Sequence, residues 1–383
     1  MNYININAYF DYSLKNSQGC ECSIRDLKKA LPESLAKIEL SKEKTIAVPR
    51  PIMKEISLFR ETPLFRAKKF EKIIGTSCEI YIKDERQTPS GSHKMNSALF
   101  CAFMCSQDGI RRIVTETAGN WGVALAMACK KFNIDLFCLI DRQSDQIRPD
   151  HKEVIQQYGA EVVLTGNTDS RSDSGFLSAD NAIRFTKNLE EAVYIFGSVY
   201  GYFIVPQTIM GIEAKNQMMA MNKYPDIIVG SCGGGANLLG TASAFIMDDF
   251  GVSPSPEVVA VEASLCPILS KGKVKVSSID YVGHYPMIRA YRLGKLPDKR
   301  PYIGGLESTI VASAVTHFHE KGLIKSLVCT HDEAQEAAGK FFSSEGSEVA
   351  IESAYQLAGV IRKAREEKEK VILVNISSDS LFD

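Results

Sequence analysis

Three short stretches of this chain bring together residue types that could do chemistry. In the first, Pro89-Ser90-Gly91-Ser92-His93-Lys94-Met95-Asn96, a small-residue turn runs into what reads as a helix starting near Lys94. A lysine in the first turn of a helix faces the positive end of the helix dipole, which disfavours its charge and lowers its pKa. Such a lysine suits Schiff-base chemistry, although an exposed lysine after a turn has the same local sequence. In the second, Gly230-Ser231-Cys232-Gly233-Gly234-Gly235-Ala236-Asn237, consecutive glycines stand between an apolar run and a helical pattern. Several backbone N–H groups can converge there on an anion, as in a phosphate cradle at a helix N-terminus. The stretch lacks the Gly-Lys-Ser/Thr of a P-loop and does not fit G-x-G-x-x-G, and a flexible turn is the plainer alternative. In the third, Thr115-Glu116-Thr117-Ala118-Gly119-Asn120-Trp121-Gly122, Thr117 and Asn120 with small residues open another helix. They could hold a carboxylate there, or simply cap the helix.

The elements that must position these turns are legible as alternating strands and helices from about residue 78. Cys78 to Lys83, Arg112 to Glu116, Leu136 to Ile140, Glu161 to Leu164, Asp226 to Gly230, Val258 to Glu262 and Val371 to Asn375 are short β-branched runs of buried character. Between Asn120 and Phe132, Trp121, Ala124, Leu125, Ala128, Cys129 and Phe132 form one apolar stripe at helical spacing. Thr330 with Glu333 has the spacing of a capping box. Strands alternating with helices over short connections predict an α/β fold of mostly parallel sheets flanked by helices. Residues 1–60 read as a polar N-terminal arm. Residues 61–93 and 212–383 are expected to form a larger domain and 94–211 a smaller one. TGNTDSRSDSGFL at 165–177 reads as a mobile surface loop.

Composition narrows the function. With 383 residues and 45 Lys+Arg against 46 Asp+Glu, the formal charge of −1 gives no bulk attraction to nucleic acid. No stretch approaches the roughly 20 apolar residues of a membrane span. The start MNYININAYFDYSLK lacks a basic segment followed by an apolar one, so no secretory leader is expected. The ten cysteines are scattered without a C-x-x-C pair, which suits a reducing cytoplasm and predicts no metal site. Cys101 and Cys105, one helical turn apart, read as core thiols.

Together the motifs closely resemble the pyridoxal-phosphate enzymes of the tryptophan synthase β-subunit family, within fold type II, and best its standalone second type. The resemblance covers nearly the whole chain from about Glu61: ETPLFRAKKFEK, IYIKDE, PSGSHKMNSAL, RRIVTETAGNWGVALA, YGAEVV, GSVYGYFIVPQTIMGIEAK, VGSCGGGAN, YRLGKLPDKRPYIGGL, SEGSEVAIESA and ISSDSLFD occur in family order. It implies pyridoxal 5'-phosphate as cofactor and leaves room for a monovalent cation. It also implies that Lys94 holds the cofactor and acts as base at Cα. His93, Gly233, Gly234, Gly235, Ala236 and Asn237 would surround the phosphate, Ser377 would face the pyridine nitrogen, and Glu345 would lie beside the ring. Thr117, Ala118, Gly119, Asn120 and Trp121 would bind the substrate carboxylate, and Glu116 would be the catalytic carboxylate. A hydroxyl partner leaves the ring nitrogen largely neutral, which favours chemistry at Cβ over transamination.

The chain departs from the family in places. Where the family runs Glu-Thr-Gly-Ala-Gly-Gln-Trp/His-Gly, ETAGNWG is one residue shorter and closer to the loops of cysteine synthases and amino-acid dehydratases. That puts the aim of Glu116 in question and leaves the nucleophile open. Ser347-Glu348-Val349 replaces the family's Ile/Val and Pro, with Glu348 read as a solvated helix-start charge or a carboxylate near the pocket. Asp379 replaces a commonly basic or histidine position. The expected function is β-replacement on L-serine or an O-activated serine through an aminoacrylate, in a cytoplasmic homodimer with no need of an α-type partner subunit. Tryptophan synthesis from L-serine and indole, β-elimination of the dehydratase type, and a non-catalytic cofactor-fold protein are the alternatives.

Overall fold

The computed structural model describes residues 1–117, 119–147, 149–166, 174–247, 255–294, 296 and 301–379, excepting the side chains of 143, 147 and 174–176. Its strands are β1 (Asn2–Ile4), β2 (Thr45–Ala47), β3 (Leu64–Arg66), β4 (Glu79–Asp84), β5 (Arg112–Glu116), β6 (Asp135–Asp141) and β7 (Glu161–Thr165). They continue with β8 (Ala192–Tyr194), β9 (Ile227–Ser231), β10 (Glu257–Ala263), β11 (Lys273–Ser277), β12 (Ile288–Arg292), β13 (Ile324–Cys329) and β14 (Val371–Ile376). Each β-branched run read from the sequence is a strand to within a residue at either end.

Two sheets carry the molecule. The larger has the order β13-β10-β9-β14-β4-β3, parallel throughout except for β3, which lies antiparallel to β4. The smaller, β7-β6-β5-β8, is wholly parallel, and its strands fall between residues 112 and 194. Parallel strands need crossovers, and helices on both faces bury them, so β9 is buried at every position. The helix Asn120–Phe132 spans the stretch its apolar stripe predicts. Thr330 caps the helix His331–Glu345 with a complete capping box, its hydroxyl accepting from Glu333 N–H. Among the described residues no helix is long and apolar enough to cross a membrane.

The polar-looking N-terminal stretch contributes to the core. β1 pairs antiparallel with β2, and Tyr3, Ile6, Leu35, Ile52 and Ile56 are buried. Glu39, in the helix Glu33–Leu40, accepts a 2.5 Å bond from Tyr202 N–H, and burial pushes its carboxyl up to about 7. The loop expected over 165–177 ends earlier, because a helix begins at Ser174; residues 167–173 lie outside the described residues.

Candidate active site

The three turns are strand-to-helix connections that follow the carboxyl ends of the parallel strands β4, β9 and β5, where helix N-termini offer N–H groups. Lys94 is the N-cap of the helix Met95–Gln107. Its turn is tied to the carboxyl end of β14 by His93 N–H donating to Ser377 O at 2.9 Å and Asp379 N–H donating to Gly91 O at 2.9 Å. Ser377 is thereby fixed beside His93 and Lys94, although the two segments are far apart in sequence. A buried charge network anchors the same helix. Asn96 accepts from Arg60 Nη2 at 2.8 Å and donates to Glu85 at 3.2 Å, while Arg60 pairs with Glu85 and with Glu213, which also takes Lys83 at 2.8 Å. Two cations face two carboxylates, so the charges offset one another where desolvation would otherwise cost several kcal/mol per ion.

The glycines of the second turn are required by close approach. A Cβ on Gly233 would run into the Gly305 carbonyl, one on Gly234 into the Ser198 hydroxyl, and one on Gly235 would lie 2.5 Å from Val315 Cγ2. Gly235 also has φ +97°, a left-handed conformation that side chains disfavour, and it caps the helix Ala236–Ile246. The result is a backbone-lined hollow at a helix N-terminus.

These pieces converge. Ser92, His93, Lys94, Asn120, Gly233 to Asn237 and Ser377 line one cleft, together with Gly197, Ser198, Phe203, Gly305 and Glu352. Several of its polar atoms are buried with no hydrogen-bond partner among the described residues: both side-chain polar atoms of Asn237, Oδ1 of Asn120 and Oε2 of Glu352. Buried polar groups are normally satisfied, so this set calls for a polar ligand. A phosphate in the glycine hollow would accept from Asn237 Nδ2 and Lys94 offers an amine to an aldehyde, while the orphan oxygens of Asn120 and Glu352 need donors such as the hydroxyl and amine of an amino acid, so the residues present fit pyridoxal phosphate and such a substrate. Burial, with Lys94 beside it, pushes the His93 imidazole down to about 4, and its Nδ1 lies 3.0 Å from Gln207 Oε1. His93 is thus a neutral wall. The Ser377 hydroxyl lies 3.1 Å from Ser353 Oγ and accepts a 3.4 Å bond from Gln356 Nε2, so it is held by neutral groups alone.

Other expected residues sit differently. Glu345, placed beside the ring by the resemblance, is not in the cleft. It ends the helix His331–Glu345, and its carboxylate accepts from Phe70 N–H at 3.0 Å, capping the first turn of the helix Lys68–Ile74. The carboxylate in the cleft belongs to Glu352, in the first turn of the helix Ile351–Glu366, where it accepts from Gly305 N–H at 2.6 Å. Glu348 is exposed. The Thr117 hydroxyl is spent locally, accepting from Gly119 N–H and Gly122 N–H at 3.1 and 3.0 Å. Trp121 donates its indole N–H to Thr115 at 2.9 Å and packs edge-on against Phe203, so only its backbone could serve a substrate. Gly119 lies under the buried His151 ring, where a Cβ would come 2.8 Å from Cε1. Ala118 lies outside the described residues. Glu116 is not among the residues lining the cleft; its Oε1 accepts a 2.8 Å bond from the Tyr194 hydroxyl, and Oε2 is buried without a partner among the described residues. Burial pushes its carboxyl up to about 8, against the Tyr194 bond that pulls it down. Among the described residues no group of three or more His, Cys, Asp or Glu could hold a metal ion.

Comparison with known proteins agrees with this chemistry. Residues 57–378 match the family described as "Pyridoxal-phosphate dependent enzyme". The tryptophan synthase beta chain 2 of Thermotoga maritima is 36% identical over 371 residues, covering 92% of this chain and 87% of that protein. The tryptophan synthase beta chain 2 of Pyrococcus abyssi is 36% identical over 379 residues, covering 94% and 86%. Among solved structures, a threonine deaminase from T.th. superposes with a TM-score of 0.68 at 19% identity, over 86% of this chain and 96% of that one, a likeness of fold.

Proposed function

We propose that this chain, which belongs to the pyridoxal-phosphate dependent enzymes and within them to the tryptophan synthase β group, replaces the β-substituent of L-serine with an incoming nucleophile. The observation that carries the reading is the convergence of Lys94, Asn120, the glycine hollow and Ser377 on one cleft. Bound pyridoxal phosphate supplies a carbonyl for amines to condense with and an electron sink for charge at the substrate Cα. The chain's own residues do the rest. Gly233, Gly234, Gly235, Ala236 and Asn237 hold the phosphate with backbone N–H groups and one amide. Lys94 Nζ is the amine that retains the cofactor and then moves the Cα proton. Asn120 holds the substrate carboxylate through its side-chain amide, the Gly119 and Gly122 N–H groups being taken by Thr117. Ser377 offers the ring nitrogen a neutral partner, which keeps the sink weak and favours Cβ chemistry. Glu116, with its carboxyl raised to about 8, carries a proton at neutral pH and gives it to the departing hydroxyl. We read the protein as a cytoplasmic homodimer that works without an α-type partner subunit, which light scattering of the pure, active chain tests; a purely monomeric active species refutes the dimer.

One observation favours a second reading. Glu116 is bonded to Tyr194 and does not line the cleft, which would leave a hydroxyl without its acid. The substrate would then be an O-activated serine whose leaving group departs as an anion. Glu116→Gln separates the two. On the first reading it lowers turnover of L-serine by about 10² to 10⁴ and spares O-acetylserine and O-phosphoserine. Equal effects on all three donors refute the role of Glu116 as acid.

A further inference from the structure

We infer that Tyr194 is the positioning residue of the reaction: its hydroxyl fixes the Glu116 carboxyl so that Oε1 is the accepting oxygen and Oε2 the one that carries and delivers the proton. This rests on Glu116 acting as the acid, as proposed above.

The geometry begins in the register of the smaller sheet. Tyr194 on β8 pairs with Val114 on β5, and Glu116 is two residues beyond Val114. Residues two apart share a face, so the Tyr194 and Glu116 side chains stand diagonally on one side of the sheet, within reach of each other. The hydroxyl donates to Oε1 at 2.8 Å. Tyr194 is itself held: the Tyr285 hydroxyl donates to the Tyr194 carbonyl at 2.8 Å, and the two rings meet edge-on at 5.3 Å. Burial and the neighbouring Glu116 carboxylate drive the Tyr194 hydroxyl well above its ordinary range, so it stays protonated and can only donate to an ionised Glu116. With Oε1 occupied, a proton on Glu116 resides on Oε2, which is buried and has no other partner among the described residues. The titratable groups facing this carboxyl are Tyr194 from β8 and Tyr285 from the segment before β12, with Asp280 felt by Tyr194; His151 packs on Gly119 three residues along. The proton balance is simple. Glu116 gives one proton to the leaving hydroxyl, water departs, and the carboxylate is left ionised with Tyr194 donating to it. When the nucleophile adds at Cβ its proton recharges Glu116, and Lys94 returns to Cα the proton it took, so both groups end as they began.

A hydrogen bond to a carboxylate favours its ionised form, so removing the donor must raise the midpoint. Tyr194→Phe is therefore expected to move the Glu116 titration upward by roughly one pH unit, read by infrared difference spectroscopy of the carboxyl with Glu116→Gln as the assignment control. The alkaline limb of L-serine turnover moves up with it, while O-acetylserine turnover stays level. An unmoved carboxyl midpoint overturns the inference, as does a moved midpoint with an unmoved kinetic limb. If Glu116→Gln leaves L-serine turnover intact, the acid reading itself fails, a result distinct from either. Should Tyr194→Phe not fold, 3,5-difluorotyrosine at position 194 keeps the shape and strengthens the donor, so the midpoint must then move downward; no movement overturns the inference.

Discussion

Gly233→Ala tests the glycine hollow with a single added methyl. An ideal Cβ there meets the Gly305 carbonyl oxygen, with the carbonyl carbon at 3.0 Å and Leu306 Cα at 3.3 Å. All three are backbone atoms and cannot rotate aside, so the turn itself must move. Overpacking of this kind costs about 1–3 kcal/mol, and if that cost falls on the ligand-bound hollow it weakens cofactor affinity roughly 5- to 150-fold. Gly234→Ala differs, because its Cβ meets the Ser198 hydroxyl, with Val199 Cγ1 at 3.2 Å. Adding Ser198→Gly should return much of the loss at position 234 and none at 233. The assay is reconstitution of cofactor-free protein with pyridoxal phosphate, following visible absorbance to a Kd, with thermal melting of the cofactor-free proteins alongside. Unchanged affinity in Gly233→Ala, with an unchanged melting temperature, would refute the placement of the phosphate.

Lys94→Ala should abolish the borohydride-stable cofactor adduct, which peptide mass spectrometry finds on the Lys94 peptide in the wild type; an adduct on another lysine refutes the assignment. Ser377→Asp, by placing an acid against the ring nitrogen, should shift products from β-replacement toward transamination, while Ser377→Ala keeps the wild-type ratio; identical ratios in both remove Ser377 from the ring. Glu116 also sets a pH dependence of stability. Its folded carboxyl is raised to about 8 from an ordinary 4.5, so the fold retains a proton that the unfolded chain has released, and its contribution to stability falls as pH rises through that window. Glu116→Gln should therefore gain on the wild type by a few kcal/mol between about pH 5 and pH 8, measured by urea denaturation; a constant difference contradicts the raised value.

How much of this was legible in the sequence depends on the range of each interaction. The helix Asn120–Phe132 and the Thr330–Glu333 box are local patterns, and both are seen as read. The Lys94, Asn120 and tri-glycine turns each carry their own residue signature, whereas Ser377 was reached only through the family resemblance; all four line one cleft. Glu352 rather than Glu345 lines the cleft, and its place there rests on a contact with Gly305, 47 residues away, that no spacing reveals. The available signal was position. Glu352 lies in a first helical turn, where a carboxylate is favoured, while Glu345 lies in a last one. Tyr194 could not be found at all, since its bond to Glu116 arises from the register between β5 and β8. The N-terminal stretch hid its core contribution behind polar neighbours, Tyr3 and Ile6 being buried among asparagines.

The central claim, replacement at Cβ, is tested most directly by following the third carbon of serine. Purified holoenzyme is given L-serine labelled with 13C at that carbon, together with indole, sulfide or a small thiol in separate reactions, and the products are identified by mass and NMR. The account predicts a new amino acid that keeps the α-amine and bears the label bonded to one of these nucleophiles. Label recovered only in pyruvate, with ammonia released at the same rate whichever nucleophile is present, would contradict it.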